Sequence, residues 1–160
     1  MSKRAKGSCF FVLAAMISAS SIPGFLIGQP ADSGIQDMID AWAAMWNSYD
    51  LTMVDTLFLQ DSRVSYFSSE RQGLIQGIEA VRDHHAGFGF VEGGKIQANK
   101  LWVEDVHIQK FGSMAVIAGI WHFGKKTGEE DSIQKGPFTF VCVQVRQGWR
   151  LVHLNFSEYK

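Results

Sequence analysis

The sequence predicts an α+β fold, and three observations carry that prediction. Apolar residues recur at helical spacing only in the first half of the chain, four β-type runs occupy the second half, and two of the three gaps between those runs are short turns. With 160 residues there is room for one domain around one core.

The amino terminus reads as a secretion signal. Lys3, Arg4 and Lys6 form a basic start, an apolar run follows from Cys9 to Ile17, and small residues Ser18, Ala19 and Ser20 offer a peptidase site, with a later cut near Gly28 as a second possibility. Residues 1–28 are therefore assigned to the leader and the protein to the periplasm or the extracellular space. The competing reading is a retained membrane anchor, since no charge occurs between Lys6 and Asp32. Residues 29–34 read as a linker, and residues 35–160 as the domain.

Ser33 with Gln36 three residues later matches a capping box, so a helix should start there. Ile35, Met38, Ile39, Trp42, Met45, Trp46 and Tyr49 follow at steps of three and four and form one wide apolar face. Asp50 can cap a second helix that carries Leu51, Val54, Leu57 and Phe58 and ends at Asp61 and Ser62. A short strand is expected over 63–67, a turn over 73–77, and a third helix from Ile78, closed by Gly87 and Gly89. The β-type runs are 101–109, 114–123, 138–146 and 149–158; turns at 111–113 and 147–148 suit antiparallel neighbours, and 124–136 reads as a polar hairpin loop.

Composition excludes several classes of function. Hydrophobic residues make up 46% of the chain and include 12 Phe, five Trp and three Tyr, which rules out a disordered segment. The formal net charge is -1 and no Lys/Arg cluster follows Lys6, so no nucleic-acid partner is expected. Cys9 and Cys142 lack metal-site spacing, and the apolar neighbours of Cys142 favour a buried thiol without a nucleophilic role. No metal and no cofactor is expected: the glycines at 87–93 lack the preceding strand of a dinucleotide site, and no serine elbow is present. His84 and His85 read as imidazoles suited to a helix carboxy terminus, with His85 on the apolar face.

The run Gly136-Pro137-Phe138-Thr139-Phe140-Val141, followed by Gly148-Trp149-Arg150-Leu151-Val152-His153-Leu154-Asn155-Phe156-Ser157, resembles the carboxy-terminal hairpin of nuclear-transport-factor-2-like domains. The likeness is to the SnoaL-like and calcium/calmodulin-dependent-kinase association-domain branch. Residues 42–50 and 115–121, and Gly77 at the third helix, support it, and it spans about residues 35–158. The resemblance implies a cone: a curved antiparallel sheet wrapped around three helices, open at one end into an apolar cavity, and often dimeric through the sheet. It leaves the chemistry open, because fold does not determine function. Against the ketosteroid isomerase relatives, Trp42 falls where a tyrosine donor belongs and Tyr66 where an aspartate base belongs, so both groups of that chemistry are missing.

Strict alternation puts Trp149, Leu151, His153, Asn155 and Ser157 on one face of the last strand. If that face is concave, His153 enters the pocket as a candidate acid/base and Asn155 as an oxygen-orienting group; otherwise His153 is a hydrogen-bonded structural residue. Trp42, Trp46 and Trp121 are candidate pocket walls or core, and Tyr66 is a candidate hydrogen-bond donor or core residue. Both parities of 138–143 are apolar, which predicts a sheet with a second subunit on its outer face and hence a homodimer. Three functions follow as expectations: an exported domain binding a small apolar ligand, an enzyme acting by proton transfer on a small oxygenated compound, or a dimerising assembly module. A membrane partner is expected only if the leader is retained.

Overall fold

In a computed structural model, residues 33–125 and 133–160 are described. The leader, most of the linker, Cys9 and the tip of the polar hairpin loop lie outside them. Helix α1 spans Ser33–Ser48 and buries Ile35, Met38, Ile39, Trp42, Met45 and the following Tyr49, with Trp46 half-buried, as the spacing requires. Asp50 accepts hydrogen bonds from the Thr52 backbone N–H and hydroxyl at 2.9 and 2.7 Å, which starts α2, Thr52–Leu57. That helix stops four residues before Asp61. Phe58 turns to extended backbone (φ -90, ψ 151), bridges to Leu151, and the next N–H, of Leu59, donates to Leu151 O at 2.9 Å. Burial of the Phe58 ring against the sheet overrides helix continuation.

Strand β1 is Ser65–Phe67, and a two-residue β2, Ile75–Gln76, sits inside the expected turn, too short to carry a sequence pattern. Gly77 (φ 85) redirects the chain into α3, Ile78–Gly87, a left-handed conformation that other residues resist. Arg82 ties α3 to α2 through Asp55 at 2.6 Å. The four long strands follow as β3 (Lys100–Phe111), β4 (Met114–Gly124), β5 (Gln134–Val145) and β6 (Gly148–Phe156). Their order in the sheet is β2-β1-β6-β5-β4-β3. The meander β3 to β6 is antiparallel as expected, but β1 pairs parallel to β6, so the sheet is mixed. The segment between β1 and the meander, which holds β2 and α3, makes that return possible.

Two bulges bend the sheet. On β3, Asp105 (φ 52) and Val106 oppose Gly119 alone, and a Cβ at Gly119 would press on the Phe138 ring at 2.8 Å. On β6, Val141 pairs with His153 and Cys142 with Leu151, so Val152 has no partner of its own. Burial then reverses parity: Trp149 and Leu151 are buried before the bulge, Leu154 and Phe156 after it. The concave face closes on α1, where Trp42 meets Phe140 edge-on at 4.9 Å and stacks on Phe156 at 5.4 Å. Each such ring pair contributes about 0.5–1.5 kcal/mol beyond the area it buries.

Candidate functional site

The concave face and α1 leave an apolar cavity of about 170 Å³. Helix α1 and the residue after it supply Trp42, Trp46 and Tyr49, and Phe88 enters from the end of α3. The sheet supplies Tyr66, Trp121, Phe123 and Phe156. Four expected residues, Trp42, Trp46, Tyr66 and Trp121, are thus brought together on one wall system. Trp121 is fixed by its indole N–H, which donates to Ser157 O at 2.9 Å. That carbonyl can come so close to the sheet because Gly136, opposite, has no Cβ to collide with it.

His153 and Asn155 are a correction. The bulge at Val152 turns them to the outer face, away from the cavity, with Ser65 and Phe67 of β1 beside them. His153 Nδ1 shares a hydrogen bond with the Ser65 hydroxyl at 2.7 Å, and the Phe67 ring stands edge-on at 6.2 Å. The acid/base and oxygen-orienting roles expected of the two residues therefore fall away. Strict alternation fails here for one reason: a single unpaired residue changes every later side chain's face.

The polar groups at the cavity come from elsewhere. Glu70, in the loop after β1, lines it together with Ser69 and Gln134. Its carboxylate is held by the Ser68 hydroxyl at 2.6 Å. Burial raises the pKa of Tyr49 and Tyr66, and the Glu70 charge raises both further, so both phenols stay protonated. The indole N–H groups of Trp42 and Trp46 are buried without a hydrogen-bond partner. Leaving a buried donor unmet costs about 1–3 kcal/mol each.

Behind this wall lies His85, fully buried, its ring 5.6 Å from that of Trp46 and 5.9 Å from that of Tyr66. Its Nδ1 lies 2.8 Å from Val81 O and must donate to it, which leaves Nε2 as an unmet acceptor. Desolvation pushes the imidazole down to about 4, despite the bond to Val81. The neutral ring acts as packing and carbonyl partner, so an imidazolium complementing the helix dipole is not its role. Cys142 matches its expected place: buried, with desolvation raising its thiol to about 11.

Neither Glu70 nor Ser69 stood out in the sequence, because a polar loop residue carries no periodic signal. Tyr49 lies on the apolar helix face, and Phe156 is not singled out by strand alternation. Beside the cavity runs a shallower groove that shares Ser69 and Phe156 with it and adds Ser157, Glu158 and Lys160.

His85 makes stability depend on pH. Its folded pKa of about 4 lies below the ordinary histidine value near 6.5, so the unfolded chain binds the extra proton between the two. Stability is full above pH 6.5, falls as pH drops toward 4, and loses about 3 kcal/mol over that window by linkage. His84, lowered by desolvation against the opposing Glu70 charge, acts in the same sense. Denaturant titrations from pH 7.5 to 4 should show the fall, and a His85→Leu variant should show a flatter profile. An equal slope in both would contradict the assignment.

A family model described as the SnoaL-like domain matches residues 35–159. Among solved structures, a nuclear transport factor 2-like superfamily protein from Salmonella enterica serovar Typhimurium superposes with a TM-score of 0.63 at 21% identity, covering 79% of this chain and 89% of its own. A nuclear transport factor 2-like protein of unknown function from Pseudomonas putida gives 0.66 at 16%, with 79% and 85% covered. The CaMKII hub of S. rosetta gives 0.60 at 21%, with 79% and 95% covered. No curated protein matches. These likenesses agree with the fold expected from the hairpin around Gly136 and Trp149.

Proposed function

Because the chain belongs to the SnoaL-like domain family, whose fold encloses a cavity between sheet and helices, we propose that it binds a small molecule there. The observation that carries this reading is a cavity of about 170 Å³ walled by aromatic rings. An apolar cavity of about 150 Å³ accommodates benzene, so the fitting ligand has one ring or an aliphatic body of that size. Proton-transfer chemistry in the same cavity would run through Glu70, the sole carboxylate lining it among the described residues.

Benzyl alcohol titrated into the protein should change tryptophan fluorescence saturably, and Ser69→Phe, which places a ring at the wall, should abolish the change without lowering the melting temperature. A response without saturation, or one unaffected by Ser69→Phe, would contradict this.

We propose also that the outer sheet face binds a second copy of the chain. Val116, Ile120, Val141 and Val143 share that face and are only partly covered, while Phe111 and Met114 at its end are 58% and 41% exposed. A contiguous apolar sheet face of this kind gains by pairing with itself about a twofold axis. Light scattering at micromolar concentration should give a dimer mass, and Val141→Glu should give the monomer with the fold retained; a wild-type monomer sinks the proposal.

Export is proposed on the order of basic start, apolar run and small-residue exit in residues 1–20. Mass spectrometry of the secreted fraction should find a chain short of its first 20 to 28 residues. An intact amino terminus in the membrane fraction would support the anchor.

A further inference from the structure

Glu70 also bears on the charge of the ligand. We propose that the cavity selects a compact organic cation, an amine or quaternary ammonium on a small apolar body, over neutral and anionic molecules of the same shape; this rests on the cavity being a ligand site. Glu70 is the only formally charged side chain among the described residues lining the cavity. Glu70 is exposed, yet it is held at the cavity wall: the Ser68 hydroxyl donates to its Oε2 at 2.6 Å, and its backbone N–H donates to the same hydroxyl at 3.2 Å. Its field reaches the site, since it opposes ionisation of Tyr49 and Tyr66 and favours the protonated form of His84.

The remaining walls amplify that charge. Ring carbons carry no dipoles that reorient as water does, so a cation seated among them meets the exposed Glu70 carboxylate through a medium of lower effective dielectric constant than open solvent. Aromatic rings add a quadrupole whose faces attract cations. The neighbouring cations do not answer Glu70 within the cavity. Lys95 lies over the Tyr49 ring at 5.0 Å and is exposed, and Arg71, exposed, acts on His84 less strongly than Glu70 does. Glu158 and Lys160 occupy the adjoining groove with opposite charges. Among the described residues, an anionic ligand would thus face a carboxylate with no lining cation to balance it, whereas a cation would complete the ion pair.

Three isosteric probes separate charge from shape: choline, neutral 3,3-dimethylbutan-1-ol and anionic 3,3-dimethylbutanoate, titrated calorimetrically into the wild type and Glu70→Gln. Choline should bind about tenfold tighter than the alcohol, the carboxylate weakest, and added sodium chloride should weaken choline alone. Glu70→Gln should bring choline down to the alcohol's affinity, and an unchanged melting temperature shows that the variant is folded. Equal affinity of choline and the alcohol in the wild type, or a preference that survives in Glu70→Gln, overturns the proposal while the ligand-site reading stands. Binding of none of the probes, with benzyl alcohol also silent, overturns both.

Discussion

One unpaired residue, Val152, sets the arrangement on which the rest of the molecule depends. A regular β6 would turn either Trp149 and Leu151 or Leu154 and Phe156 inward, but not all four. The bulge admits both pairs. Before it, Leu151 backs the Phe58 turn and Trp149 packs near Gly34 at the start of α1; after it, Phe156 stacks on Trp42. The first pair packs toward the helices, and Phe156 of the second lines the cavity.

The same displacement decides the chemistry of the cavity. It sends the imidazole of His153 and the amide of Asn155 to the outer face, where Ser65 partners the former. The interior keeps rings, two protonated phenols and two unmet indole donors, with one carboxylate anchored at the wall. Its histidines stand behind the lining: His85 is held neutral by burial and spends its one proton on Val81 O.

The sequence made legible whatever repeats. Steps of three and four exposed the face of α1 from Ile35 to Tyr49, and alternation with short turns exposed the antiparallel meander; together with the 136–157 hairpin they led to the family. Four of the six residues expected at the pocket line it, because their positions followed from helix periodicity or from strands read correctly. What failed was non-periodic. A single extra residue at 152 leaves no mark in composition, and alternation read through it groups His153 and Asn155 with the buried Trp149 and Leu151. Glu70 belongs to a loop, where only tertiary placement gives a side chain its surroundings. The parallel pairing of β1 with β6 depends on a long-range return that local pattern does not encode.

The central claim is that ligands meet the aromatic interior and not the His153 face. Intermolecular nuclear Overhauser effects between benzyl alcohol and the isotope-labelled protein test it most directly. The account predicts contacts from the ligand's ring protons to the side chains of Trp42, Trp46 and Phe88, and none to His153 or Asn155. Contacts confined to the His153 ring and its neighbours on the outer face would contradict it.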